Sequence, residues 1–174
     1  MSGTANIEGR LSIRIGPAQG QVEIESTRPL LASRLFEGKA IGEVLETIPL
    51  LFNVCGRAQS VAAIRAIESA QQTPAAAPVE QARNLLIQLE TLREHLWRVL
   101  LEWPEFHGQK RETVPLAGWM ADIQAVNALI DPGGRLCREP GLSEAAAPSE
   151  DLQRQLAALC EGLSQGLFGC PPQR

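Results

Sequence analysis

The sequence predicts an α+β protein, mostly α, in which an N-terminal antiparallel β-hairpin packs on a bundle of long helices. Three observations predict this. A stretch near the start alternates apolar and polar residues with a period of two. Most of the remainder repeats its apolar residues every three or four positions, which is the spacing of one helix face. The chain is also poor in aromatics, at 4% with no Tyr, so its core rests on Leu, Ile, Val and Ala, which suits packed helices. At 174 residues and 44% hydrophobic, it is long enough for one domain, spanning 1–174, with a core of its own.

The hairpin is expected over 6–28. Leu11, Ile13 and Ile15 alternate with Ser12 and Arg14, and Val22 and Ile24 alternate with Glu23 and Glu25. The stretch "GPAQG" between them supplies turn residues. One face of this ribbon is aliphatic and needs a cover, because a lone hairpin is marginal in water. The helical part is expected over 29–168. "PLLASRLFEG" reads as a short helix stopped at Gly38, and "AIGEVLETI" as another ended near Pro49. The segment from Cys55 runs to about Gln72. "TPAAAPVE" is a linker that cannot continue a helix. The strongest element runs from about Val79 to Trp103, with Leu85, Leu86, Leu89, Leu92, Leu96, Val99, Leu100 and Trp103 at three- and four-residue steps. Glu94–Arg98 and Arg98–Glu102 are spaced as i,i+4 pairs on its wet side. A helix from about Leu116 to Ile130 stops at "DPGG". After a loop of low complexity, a last helix runs from about Glu150 to Leu167 behind Ser149, a good N-cap.

Charge and composition narrow the function. The net charge is −4 with both signs interspersed, so no basic stripe is available for nucleic acid. No apolar run approaches the roughly 20 residues needed to span a bilayer, so no membrane is expected. The opening residues lack the basic and apolar regions of a secretory signal, which predicts a cytoplasmic protein. Cys55, Cys137, Cys160 and Cys170 show no CxxC spacing, and zinc is not expected. With two histidines, His95 and His107, no Ser/His/Asp set and no Gly-rich phosphate loop, the chain does not read as an enzyme.

One cysteine stands out. In "LLFNVCGRAQSVAAIRAIESA", Cys55 precedes a glycine at the mouth of an Ala-rich helix. By residue type alone it is a packed small hydrophobe, a nucleophile or the remnant of a metal site. A helix N-terminus and a neighbouring Arg57 both favour a thiolate.

Several stretches, in order, resemble the large subunit of nickel–iron hydrogenases. "NIEGRLSI" resembles the opening motif R-I-E-G-H-L, "SRLFEG" the R-G-F-E segment, and "FNVCG" the R-x-C-G-x-C-x-x-x-H motif that supplies half the metal ligands. "QQTPAAAPVEQARNLL" and "LREHL" fall where that family has its next linker and helix, so the likeness covers about Asn6 to Trp103. The departures are as informative. Ala58 stands in place of the bridging cysteine and Ala62 in place of the histidine. One thiolate cannot hold a dinuclear site bridged by sulfur. With the "CGRAQS" form, this pattern resembles the HupK/HoxV hydrogenase accessory proteins, degenerate relatives of the large subunit.

That resemblance implies a non-enzymatic scaffold. It would hold the iron fragment with its cyanide and carbonyl ligands, Fe(CN)2CO, transiently and without nickel. The implied partners are a maturation chaperone and the hydrogenase large-subunit precursor. Cys55 is the implied iron ligand, Arg57 and Gln59 are donors to cyanide nitrogens, Glu8 matches the proton-handling glutamate of the opening motif, and His95 matches a family histidine. Each also has a plain structural reading, as a solvated charge or a boundary side chain. Glu37 matches a family glutamate whose site needs C-terminal residues. The resemblance further implies that the C-terminal portion of the longer family is missing here. An exposed apolar patch beside the hairpin and self-association are then expected. Cys55 is expected close to Glu8 and on the side facing His95. Cys137, Cys160 and Cys170 lie outside the resemblance and read as structural or incidental. The alternative is a metal-free interaction protein that docks the same partners.

Overall fold

The computed structural model describes residues 9–17, 20–27 and 34–169. The chain divides into two compact units, Met1–Ala40 and Ile41–Arg174.

In the first unit, β1 (Leu11–Ile15) and β2 (Val22–Ser26) form a two-stranded antiparallel sheet. Ile13 faces Ile24 and Ile15 faces Val22, so the aliphatics share one face as their period requires. On the other face Arg14 bridges Glu23 and Glu25 at 3.1 Å each. The loop closes with the Gly16 N–H donating to the Gln21 carbonyl, and Gly20 takes φ 90°, a backbone value that other residues rarely adopt. The aliphatic side chains stay open to solvent: Ile13 is 57% and Ile24 65% exposed. The expected apolar patch is therefore present on the hairpin itself. Of the helix expected over "PLLASRLFEG", Arg34 and Leu35 are helical and the turn ends at Gly38 with φ 75°; the earlier residues lie outside the described ones.

The second unit is helical. It contains α1 (Ile41–Leu51), α2 (Gly56–Gln71), α3 (Ala77–Trp97), a π-helical turn (Arg98–Glu102), α4 (Trp103–Phe106), α5 (Thr113–Ile130) and α6 (Glu150–Phe168). α1 packs on α2, α2 on α3, α3 on α5, and α5 on α6. One buried cluster joins Val61 of α2, Leu86, Leu89 and Leu96 of α3, Ile123 and Val126 of α5, and Leu152 and Leu159 of α6. Each such burial is worth about 1.5–3 kcal/mol against exposure. The Ser149 hydroxyl accepts from the Leu152 N–H at 3.0 Å and starts α6 as expected. Gly162 and Gly166 give α6 a notch for Trp119 of α5; a Cβ at Gly166 would lie 2.7 Å from the indole.

Four expectations need correction. α1 does not end at Pro49 but runs to Leu51, since a proline this near a helix end removes a single backbone bond. α5 begins at Thr113 rather than Leu116, with Pro115 tolerated in the first turn. Trp103 was expected on the buried stripe and is 58% exposed. The π turn is the reason: the Trp103 N–H bonds back five residues to the Arg98 carbonyl, which inserts an extra residue and rotates everything after it. The expected Glu94–Arg98 pair is also not made, because Glu94 takes Arg93 instead, while Arg98 pairs with Glu102 as expected. No described helix is long and apolar enough to cross a membrane.

Candidate functional site

The start of α2 is set by a glycine. Gly56 is buried, and a Cβ there would come within 3.3 Å of the Pro49 backbone, a crowded contact that its absence avoids where α2 closes onto the end of α1. This fixes Cys55 as the N-cap residue, half-buried, with no capping bond from its own side chain. The cap comes from α3. Glu90 accepts from the N–H groups of Arg57 at 2.8 Å and Ala58 at 3.0 Å, satisfying two of the orphan donors of the first turn. The positive helix end that was expected to act on Cys55 is thus already occupied by a carboxylate. The Gln59 amide lies 4.0 Å from the Cys55 sulfur, one turn along the helix.

Beside this turn lies a pocket of about 310 Å³. Its walls are the end of α1, the first turns of α2, the middle of α3 and the loop that follows α5. Arg57 lines this pocket together with Cys137 of that loop, close enough for its charge to act on the thiol. Cys137 is 5% exposed. Burial pushes its thiol up, and the Arg57 charge and hydrogen bond oppose this without reversing it, so the thiol stays protonated at neutral pH. Arg93 reaches the Val54 carbonyl at 3.1 Å and Glu94 at 2.9 Å. The Arg138 side chain makes no hydrogen bond or ion pair among the described residues. Ser60, also buried, adds a hydroxyl.

The loop is held in place from the other end of α2. Arg83, 0% exposed, donates to both oxygens of Glu68 at 2.9 Å, to Glu80 at 2.7 Å and to the Leu136 carbonyl at 2.7 Å. Glu68 also accepts the Gly141 N–H at 2.8 Å. Arg65 completes the set by donating to Glu80 and Asn84, both at 2.8 Å. Burial alone would raise the Glu68 carboxyl, but the Arg83 and Gly141 hydrogen bonds and the Arg83 charge hold it below the usual glutamate range. The loop that delivers Cys137 and Arg138 is therefore stapled to α2 and α3 by a buried ionic network.

The residues singled out from the sequence are partly brought together. Cys55, Arg57 and Gln59 share the first turn of α2. His95 does not face them. It lies about 140° around α3 from Glu90 and lines an apolar groove with Leu96, Trp103 and Leu163. Glu8 falls outside the described residues, and Glu37 is exposed in the turn before α1. Ala62 is exposed, and the backbone of Ala58 is capped by Glu90. Cys160 is exposed on α6, and Cys170 lies outside the described residues. Sequence reading missed Glu90, Arg93, Cys137 and Arg138. The one local signal was "DPGGRLCREPG", where turn residues on both sides hold a cysteine between arginines.

No family model matches the chain, and no solved structure matches it. Over 99 residues, 55% of its length, it is 40% identical to a protein of Azotobacter vinelandii named hydrogenase expression/formation protein HupK, of which the match covers 29%. It is 36% identical over 104 residues to the hydrogenase expression/formation protein HoxV of Cupriavidus necator, covering 26% of that protein. A HupK of Rhodobacter capsulatus is 35% identical over 94 residues, 28% of its length. The matches thus span less than a third of each relative. Over a little more than half of its length, the chain is a homologue of the HupK/HupV/HoxV hydrogenase expression/formation proteins, at 35–40% identity.

Proposed function

We propose that the protein is a non-enzymatic maturation factor for a nickel–iron hydrogenase, with a fold derived from that of the hydrogenase large subunit. It acts in the cytoplasm, holds the iron–cyanide–carbonyl fragment as cargo and passes it to the large-subunit precursor, meeting a maturation chaperone on the way. The homology to hydrogenase expression/formation proteins carries this reading. Cys55 supports it locally: a half-buried thiol at a helix start, with the Gln59 amide one turn away. A fragment that brings its own diatomic ligands needs few protein donors, and a single thiolate is a suitable soft one.

The test is co-expression with the maturation machinery. The purified protein should carry iron and show cyanide and carbonyl infrared bands, and Cys55→Ala should remove both and stop hydrogenase maturation. A Cys55→Ala variant that supports normal maturation would sink the cargo role. The metal-free docking reading is favoured by one observation, the uncovered aliphatic face of the hairpin. That face should drive self-association in the isolated chain. In analytical ultracentrifugation Ile13→Lys with Ile24→Lys should shift the species toward monomer, and an unaltered monomeric wild type would refute it.

A further inference from the structure

We propose that the pocket formed by the end of α1, the start of α2, α3 and the loop after α5 binds a compact anion with several acceptor atoms, held by the guanidinium groups of Arg57 and Arg138 with Arg93 beside them. The inference does not rest on a role in hydrogenase maturation. It rests on how charge is distributed around the cavity.

Three guanidinium groups and, among the described residues, one carboxylate line this pocket. Both Glu90 oxygens accept backbone N–H groups of α2. Arg93 is shared between Glu94 and the Val54 carbonyl. The Arg57 side chain makes no ion pair among the described residues. Arg138 has no partner among the described residues. Three guanidinium groups against one carboxylate leave the described lining of the cavity net cationic, on a chain whose net charge is −4. Like charges brought together in a partly dry cavity repel, and an anion between them removes that repulsion while filling several N–H donors at once. A guanidinium suits this role because its planar donors match a multi-acceptor anion and it is weakly hydrated. Ser60 supplies a further hydroxyl. At about 310 Å³ the cavity admits an ion the size of sulfate, phosphate or a small metal–cyanide complex with some of its water. The backbone of the loop carrying Arg138 is anchored by the Arg83–Glu68 network, so the position from which that side chain reaches the cavity is fixed.

The experiment is titration calorimetry of the full chain at about 0.1 M salt, where long-range surface attraction is largely screened, with inorganic phosphate, sulfate and hexacyanoferrate(II) as separate probes. One saturable site is expected for at least one probe, with Kd of about 1 mM or tighter. The preferred probe separates an oxyanion from metal-bound cyanide as the natural chemistry. Arg138→Ala and Arg57→Ala should each weaken binding about tenfold or more. Arg98→Ala, whose residue pairs with Glu102 away from the pocket, should bind as the wild type. Arg138 is exposed and has no side-chain partner among the described residues, so its variant will fold and carries the test even where Arg57→Ala does not. Binding by none of the three anions up to about 10 mM, or binding that Arg138→Ala leaves unchanged, would overturn the proposal.

Discussion

α2 carries a charged cluster at each end, and the two differ in one respect. Toward its C-terminal end Glu68 meets Arg83, Glu80 and Arg65, and every charge there has an opposite partner within hydrogen-bond distance. At its N-terminal end Arg57 shares a pocket with Arg93 and Arg138, and two of the three cations lack one among the described residues. Both clusters join the same three elements, α2, α3 and the loop after α5. Closed, the first cluster has nothing left to offer a ligand and serves as a staple. Open, the second leaves donors directed at a cavity. Polar burial alone therefore does not mark a site; charged groups without an opposite partner beside a cavity do.

The comparison breaks most visibly at the closed end. Arg83→Met leaves Glu68 buried with the Gly141 N–H as its remaining donor, and the loss of one partner from a buried ion pair costs about 3–5 kcal/mol. Urea unfolding at neutral pH should read this as a lower midpoint with the same slope. Arg83→Met combined with Glu68→Met should recover much of the loss, because no unpaired charge is left behind. A single variant as stable as the wild type would show that the network is not a staple.

Acid sharpens the same contrast. Glu68 and Glu80 both titrate below the usual glutamate range in the fold, burial being outweighed by arginine hydrogen bonds. The unfolded chain then takes up protons first. The stability these groups contribute is complete above the unfolded value of about 4.3 and drains as pH falls through their lower folded values. Thermal unfolding between about pH 5 and pH 2 should show this limb in the wild type and a shallower one in Arg83→Met. Equal slopes would assign the acid limb to other carboxylates.

Most of the elements were legible in the sequence, because periodicity and caps are local. The alternation of Leu11, Ile13 and Ile15 gave the strand, the spacing of Leu86, Leu89 and Leu96 gave α3, and Ser149 gave the start of α6. Trp103 was misplaced because a π turn leaves no periodic trace of its own. The candidate site was legible only where it is local. Cys55, Arg57 and Gln59 are neighbours in one helical turn. Glu90 and Arg93 read as part of an ordinary wet helix face, and only the approach of α3 to α2 makes one a cap and the other a pocket wall. Cys137 comes to Arg57 across 80 residues through a loop whose position depends on Arg83. Nothing in "GGRLCREP" announces that partner.

At the open end the effects are smaller. Glu90→Gln keeps an acceptor but removes the charge that caps α2, and loss of an N-terminal cap typically costs about 1 kcal/mol. The urea midpoint should fall by that amount. Removing the pocket's lining carboxylate should also tighten any anion bound beside it, so stability and binding should move in opposite directions. A variant in which both fall together would mean that the pocket itself is lost when the cap goes.

The smallest expected change is at Arg138. Its side chain is exposed and has no ion pair or hydrogen bond among the described residues. Surface substitutions away from special features stay within about 0.5 kcal/mol. Arg138→Ala also relieves repulsion from Arg57 and Arg93, which pushes the sign toward slight stabilisation. The stapled loop should stay where it is, since the Leu136 carbonyl and Gly141 N–H that anchor it are backbone groups. Urea unfolding in low salt should therefore give a midpoint equal to or just above that of the wild type. Added salt should narrow the difference, because it screens the repulsion that the variant removes. A loss of about 1 kcal/mol or more would mean that Arg138 is held by the fold after all. The two ends of α2 would then be the same kind of structure.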